Sequence, residues 1–372
     1  MLCYVCSVNE IPRGHSKAFT ILAPNGNSIE IAVFNVDGQF YAISNTCQHQ
    51  GGPLSKGTLD GLTVTCPWHG WKYSVLDGKS PDQGGDSVDA FEAVIQDGSI
   101  YVKPTPKFKG ERVSNPHKRY VEVDNSVNEH LDNFSKGIRK EHKIRILGIS
   151  TTNANDKIAP RKSTSEFALE QALEYSRNNF GAETVLVKLR QLYFKDCEGY
   201  YSKDSRACIF PCSISEMDKD DQMLEIYEKM IIWADIVLVA TPIRWGSASS
   251  LYYKMVQRLN SVENQMVSRN RVLIRDKVAA FIITGGQDNV QHVAGEMMSF
   301  WAQLGFVFGK FPFIGWSRGW YAEDTQHNYE KMETSSQFRK DIERTVSGAI
   351  EMSGLVTSNK YDHRLSQSPA MA

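Results

Sequence analysis

Cys47-Gln-His49 and Cys66-Pro-Trp-His69, with sixteen residues between the pairs, constrain this chain more than any other feature. Two thiols and two imidazoles spaced in this way require two loops held side by side. The thiolates can ligate one iron of a [2Fe-2S] cluster and the imidazoles the other. Neutral imidazoles donate less negative charge than thiolates, so the reduced cluster costs less and its potential lies above that of an all-cysteine cluster. Zinc is the competing reading. It usually draws C-x2-C or H-x3-H pairs from a finger or ribbon, and one Cys-x-His pair with one Cys-x2-His pair fits it poorly.

The flanking residues, CQHQGGPL at 47–54 and CPWHGWKY at 66–73, resemble the Rieske ferredoxins and the Rieske domains of aromatic-ring oxygenases. The resemblance implies Cys47, His49, Cys66 and His69 as metal ligands. Gly51, Gly52 and Gly70, with Pro53 and Pro67, let backbone amides turn toward the cluster sulfurs, where hydrogen bonds tune the potential. High-potential respiratory relatives carry two further loop cysteines joined in a disulfide; the corresponding positions here are Gly52 and Trp68. The serine those proteins place shortly after the second histidine is Trp71. One hydrogen bond to sulfur is therefore expected to be missing, which points to the low end of the Rieske range, about −150 mV.

At 372 residues the chain exceeds one such domain, and its composition is ordinarily globular, so two domains with separate cores are expected. The net charge of −1 offers no nucleic-acid footprint. No long apolar run suggests a membrane span and MLCYVCSVNE is not a leader, so a soluble cytoplasmic protein is expected. Beyond the paired donors, Cys3, Cys6, Cys197, Cys208 and Cys212 are read as free thiols, with Cys3 and Cys6 buried in the first strand.

Residues 1–105 carry short alternating segments broken by Asp37-Gly, Asp60-Gly, Asp77-Gly and Asp97-Gly, the punctuation of a small antiparallel barrel or sandwich. Residues 106–142 read as a linker. Val127, Leu131, Phe134 and Ile138 recur there at helical spacing, so it should hold an amphipathic helix that docks. Residues 143–355 alternate strand and helix. Apolar runs at 144–149, 184–189, 235–240 and 277–284 are separated by helical patterns near 164–179, 219–232, 249–266 and 290–304. That order predicts a doubly wound α/β domain with a parallel sheet, whose ligand sits outside the carboxyl ends of the strands. Residues 356–372 read as a flexible tail.

The loops at those strand ends carry hydroxyls and a guanidinium suited to a phosphate, Ser150 and then Pro160-Arg161-Lys-Ser163-Thr164-Ser165. Thr241-Pro242-Ile243-Arg244-Trp245-Gly246-Ser follows the third strand and Thr284-Gly285-Gly286-Gln-Asp follows the fourth. Together these loops resemble the NAD(P)H-dependent FMN reductases and iron-sulfur flavoproteins of the flavodoxin-like fold, over roughly residues 143–350. The resemblance implies a five-stranded parallel sheet, the FMN phosphate on the first loop (Ser150, Arg161, Ser163, Thr164, Ser165), and the isoalloxazine ring framed by Pro242, Ile243, Arg244, Trp245, Gly246, Thr284, Gly285 and Gly286. Two departures stand out. Arg161 lies eleven positions after Ser150, where the family loop is short, and Ser163 stands where asparagine is common. Cys197, Cys208 and Cys212 are too few and too irregular for the family's [4Fe-4S] quartet, so iron near two per chain is expected.

Hydride delivers two electrons and a Rieske cluster passes one, so a flavin is the natural converter. The leading expectation is an NAD(P)H-dependent FMN oxidoreductase: pyridine nucleotide reduces FMN, FMN reduces the [2Fe-2S] cluster, and the cluster serves an unknown redox acceptor, with no catalytic acid or base. Two alternatives stay open: reverse flow, with FMN reducing a quinone, nitro compound or other small acceptor, and an FMN/Rieske carrier or sensor that does not react with pyridine nucleotide. The family places flavins at subunit interfaces, so a homodimer or higher homo-oligomer is expected. His292 and His327 are read as surface or capping residues. Trp316, Trp320 and Tyr321 with Arg318 are read as core or interface packing. For Trp245, contact with the flavin ring and ordinary packing are both open.

Overall fold

In the computed structural model, which describes residues 2–82, 85–137, 143–154, 163–285, 289–317 and 327–358, the chain divides into two units. The first comprises Met1–Pro116 and Gly199–Ala207, the second His117–Glu198 and Cys208–Ala372.

The first unit is antiparallel β. Its strands are β1 Cys3–Ser7, β2 Ser16–Leu22, β3 Ser28–Val36, β4 Gln39–Ser44, β5 Thr58–Asp60, β6 Thr63–Thr65, β7 Lys72–Ser74, β8 Ala90–Gln96 and β9 Ser99–Phe108. Six form a sheet in the order β1-β9-β8-β4-β3-β2, and β5-β6-β7 form a smaller one. Asp37 and Gly38 hold φ of 52° and 91°, and Asp97 and Gly98 hold 47° and 71°, so both tight hairpins have the positive dihedrals that Asp-Gly supplies. Cys6 packs in the core with Ile11, Ile31, Val33, Ile100 and Val102, a small buried hydrophobe as expected.

This unit runs past the boundary expected at residue 105. Phe108 on β9 still pairs with Ala90, and the buried Asp86 carboxylate accepts the N–H groups of Val113 (2.6 Å) and Ser114 (2.7 Å). A carboxylate collecting several backbone donors orders a segment that has no strand pattern of its own. The helix expected in the linker is α1, Lys118–Ser135, and it belongs to the second unit. Its buried face is Tyr120, Val123 and Val127, beginning about two turns before the expected stripe; Leu131 and Phe134 are half-buried and Ile138 lies outside the described residues. Tyr120 donates its hydroxyl hydrogen to the Pro211 carbonyl at 2.8 Å, and Arg119 pairs with Glu228.

The second unit is doubly wound. Its strands are β10 Arg145–Ser150, β11 Glu183–Lys188, β12 Ile236–Pro242, β13 Val278–Gly285 and β14 Val307–Ser317. They form one parallel sheet in the order β11-β10-β12-β13-β14. Helices α2 Thr164–Phe180, α3 Ser250–Arg269, α4 Val290–Gln303 and α5 Ser336–Thr357 accompany it. Every residue of β12 is buried, as its unbroken apolar run requires of a strand covered on both faces. Gly148 lets α2 come close: a Cβ there would stand 2.8 Å from Leu173. The chain order reverses between β10 and β12, which puts the ligand crevice at the ends of those strands. β14 holds the aromatic run read as packing. Trp316 is buried against Phe338, ring centroids 5.6 Å apart, whereas Arg318, Trp320 and Tyr321 lie outside the described residues.

Candidate functional site

In the first unit β4 ends just before Cys47, and Cys66 to Gly70 join β6 to β7. Two tight loops bring the donors together: the N–H of Gly51 bonds to the Cys47 carbonyl (2.9 Å), that of Gly70 to the Cys66 carbonyl (3.1 Å), and both glycines hold positive φ, 81° and 78°. The Nδ1 atoms of His49 and His69 lie 3.1 Å apart. Two imidazole nitrogens on one tetrahedral metal, at bonds of ~2.0–2.1 Å, would lie about 3.3 Å apart, so this pair is set for a shared ion. The two cysteine side chains are hydrogen-bonded neighbours. Among the described residues no group of three or more such donors is placed to share one ion. The four are arranged as a thiol pair and an imidazole pair, which suits two irons better than one zinc.

The electrostatics favour a thiolate at Cys47. The hydrogen bond with Cys66 pulls the Cys47 thiol down to about 6, against burial, with help from the Tyr73 hydroxyl and the His49 N–H. The same hydrogen bond and burial hold Cys66 high, while its sulfur accepts N–H groups of Trp68 and His69; a bound cation would deprotonate it. Gly52 is needed at this spot, since a Cβ would stand 2.8 Å from the Cys66 sulfur and 3.0 Å from Trp68. Trp71 stacks on His49, centroids 4.6 Å apart and planes 11° from parallel. Its indole N–H is buried with no acceptor, at a cost of about 1–3 kcal/mol. A sulfur-rich group bound beside it would relieve that cost, so the residues fit a [2Fe-2S] cluster.

His69 donates its Nε2 hydrogen to the Ala207 carbonyl at 2.9 Å, and the Tyr200 ring meets it edge-on at 4.6 Å. The His49 carbonyl accepts from Arg112 at 3.1 Å.

In the second unit the three predicted loops meet at the strand ends. Thr164, at the start of α2, is hydrogen-bonded to Thr284 at the end of β13 (3.0 Å), and the Ile243 N–H donates to the Thr284 carbonyl (2.7 Å). Ser249 donates to Thr151, tying the loop after β12 to the one after β10. Ser163 caps α2 and its hydroxyl lies 3.1 Å from that of Ser165. Free amides at that helix start suit an anion.

Ser150 is placed otherwise than expected. It is buried and donates to the Glu166 carboxylate at 2.9 Å, so its hydroxyl braces the loop from beneath. Burial pushes the Glu166 carboxyl up, but hydrogen bonds from Arg190, Lys188 and Ser150 outweigh it and hold the group at about 2. Neutralised in this way, it does not oppose a phosphate at the helix start. Pro242 ends β12, Arg244 bonds its own loop to Ser247, and Gly285 packs on Ile243, where a Cβ would stand 2.9 Å away. Gly246 accepts from Asn289. Trp245 is 100% exposed at φ 50°, so packing within its own chain is ruled out. Arg161 and Gly286 lie outside the described residues. Burial pushes the Cys208 thiol up to about 12 and Cys212 up as well, making them poor nucleophiles; Cys197 is exposed.

The pattern of the Rieske [2Fe-2S] domain matches residues 1–85, and that of the NADPH-dependent FMN reductases matches residues 144–315. Over 101 residues the chain is 32% identical to the 3-phenylpropionate/cinnamic acid dioxygenase ferredoxin subunit of Photorhabdus laumondii, covering 27% of this chain and 90% of that protein. The chain belongs to the Rieske [2Fe-2S] family. Its Rieske domain is also 40% identical over 74 residues to Ferredoxin CarAc of Metapseudomonas resinovorans, covering 19% of this chain and 68% of that one. A solved structure of RosB with a bound riboflavin-phosphate intermediate is 19% identical and covers 59% of this chain and 82% of its own, with a TM-score of 0.45. A Rieske domain is thus fused to an FMN-reductase domain, which makes the chain an electron-transfer oxidoreductase with a [2Fe-2S] cluster, FMN and NAD(P)H as its cofactors. Among the described residues no helix is long and apolar enough to cross a membrane.

Sequence reasoning about the Rieske domain missed Tyr73, which sits in the quoted CPWHGWKY. Its hydroxyl accepts the Gln48 N–H at 3.2 Å and lies 3.4 Å from the Cys47 sulfur; burial and the Cys47 charge push the phenol up, so it remains a donor. The site therefore holds hydroxyl and indole donors that the serine-to-Trp71 comparison did not count. Tyr73→Phe is expected to lower the midpoint potential by roughly 60 mV, the one-electron equivalent of one hydrogen bond of ~1.4 kcal/mol. Redox titration followed by EPR measures it, and an unchanged midpoint would remove Tyr73 from the site.

Proposed function

We propose that the chain is an NAD(P)H-dependent FMN oxidoreductase whose electrons pass from the flavin site to the two-iron site and on to a separate acceptor. When bound, the flavin takes the two electrons of a hydride together and the cluster passes them singly, which supplies the redox chemistry. The chain holds and shields these groups. Cys47 and Cys66 hold one iron; His49 and His69 hold the other. Ser163, Thr164 and Ser165, with the first amides of α2 and with Arg161, bind the FMN phosphate, while Ser150 fixes Glu166 beneath them. Pro242, Ile243, Arg244 and Gly246 frame the isoalloxazine from one side, and Thr284, Gly285 and Gly286 from the other. Trp245 is left for the flavin ring or, in a homodimer, for the neighbouring copy. No side chain would need to act as acid or base, because the bound cofactors would supply the hydride chemistry.

The observation that supports this reading best is the presence in one chain of the paired thiols and imidazoles and of the three joined loops of an FMN-reductase domain. Tethering makes the exchange between the two sites intramolecular. The test is anaerobic mixing of the loaded protein with NADH and, separately, NADPH, following flavin absorbance and cluster EPR. Bleaching of the flavin followed by the signal of a reduced cluster is expected with one or both. If neither nucleotide bleaches the flavin, the hydride role is wrong; if the flavin bleaches and the cluster stays oxidised, the order of transfer is wrong.

A further inference from the structure

The Rieske unit is not continuous in sequence. Met1–Pro116 is completed by Gly199–Ala207, a stretch that the chain supplies between β11 and β12 of the flavin-binding fold. Gly199, at φ 67°, turns the backbone into the short helix Tyr200–Lys203. The segment meets the metal site at one place. Tyr200, itself buried, sets its ring edge-on to His69 at 4.6 Å and 87°. The fully buried Ala207 receives the His69 Nε2 hydrogen at 2.9 Å. Arg206, paired with Asp204 at 2.9 Å, lies over the Trp68 ring at 5.3 Å.

These contacts fall on the Nε2 edge of His69. The two Nδ1 atoms face each other, so the Nε2 edge is the side of the imidazole turned away from the metal site. His69 as a whole is only 7% exposed. A carbonyl accepting the second N–H of a metal-bound imidazole fixes its tautomer and ring orientation. Here that carbonyl belongs to the last residue before the chain crosses into the second unit at Cys208.

We propose that Gly199–Ala207 is a built-in cover for the His69 edge: it occupies the surface by which a separate redox partner would reach that imidazole, and it slows electron exchange with an outside protein there. The proposal rests on reading the chain as a flavin-plus-cluster oxidoreductase. The segment takes part in no chemistry of its own: it shields the imidazole, and no bond to it would form or break. An outside acceptor must then be served at another face.

The test uses the full chain as isolated with its cluster, in three forms: native, Tyr200→Ala, and residues 200–206 replaced by a glycine-serine stretch of equal length. Diethyl pyrocarbonate acylates accessible imidazole nitrogens, and mass spectrometry reads each histidine separately. His15 and His327, both exposed, are internal references. His69 should be labelled about tenfold more slowly than the references in the native protein and about tenfold faster in either variant, as when a local opening is no longer needed. Stopped-flow reduction of the oxidised cluster by a pre-reduced plant-type ferredoxin should likewise be faster in the variants, and Tyr200→Phe, which keeps the ring edge, should behave as native. Labelling of native His69 at the rate of His15, or variants that change neither labelling nor reduction, would overturn the proposal. Tyr200→Ala keeps the question open to refutation if the longer replacement fails to fold. Neither readout uses pyridine nucleotide, so this proposal and the hydride reaction can fail separately.

Discussion

Cys66→Ser is expected to empty the Rieske site: iron and acid-labile sulfide fall from about two per chain to near zero, while FMN stays bound to its own domain. The serine hydroxyl is a harder, uncharged donor and a poor substitute for thiolate toward iron. The loss goes beyond one bond. The Cys66 sulfur collects the N–H groups of Trp68 and His69 and packs against Gly52, so the turn that aims His69 is built around it. Binding of the cluster is in part folding energy for these loops, and the first unit should melt at a lower temperature than the second. Cys6→Ser is the control. Cys6 lies in the core away from the four donors, so the variant loses stability and keeps its iron. Iron and sulfide determination with EPR of the reduced protein decides the matter; a Cys66→Ser variant with full iron and an unchanged spectrum would refute the ligand assignment.

Glu166→Gln should carry a large stability cost in the second unit, with a pH dependence that identifies its cause. The folded carboxyl is held at about 2 against an ordinary value of 4.5, a difference equivalent to ~3 kcal/mol. The group is depressed on folding, so its stabilisation is fully present above the unfolded value and is lost as pH falls through the folded one. The window thus runs from about pH 4.5 down to about 2. Glutamine keeps the shape and removes the charge that Arg190 and Lys188 meet at this position, while Lys188 keeps its pairing with Glu170 at 3.4 Å; breaking a buried pair in this way is costly. Urea unfolding at pH 7 should show a loss of about 3 kcal/mol that shrinks as both proteins are taken toward pH 2. A constant difference across that range would assign the effect to packing.

Much of this was legible in the sequence, for local reasons. Spacing alone singled out Cys47, His49, Cys66 and His69, because two short loops can present donors only at such intervals. The strands β10 to β13 announced themselves as apolar β-branched runs, and Asp37-Gly38 and Asp97-Gly98 as turns. β14 was hidden because Phe311-Pro-Phe-Ile-Gly-Trp316 mixes aromatics with proline and glycine and shows no clean period. What remained illegible depends on contacts distant in sequence. Ser150 reads as a phosphate ligand in the sequence, but its hydroxyl donates to Glu166, a carboxylate that Lys188 and Arg190 hold in place. The segment 106–116 read as linker because its order comes from the Asp86 carboxylate. Nothing within Gly199–Ala207 marks it as part of the Rieske unit; only the position of His69 does.

That discontinuity also sets an order of events at the ribosome. The four metal donors and their sheet emerge with Met1–Pro116, but the carbonyl that receives the His69 hydrogen is not made until residues 117–198 have followed. At ~5–20 residues per second the nascent site waits on the order of 5–18 s with its histidine edge uncovered.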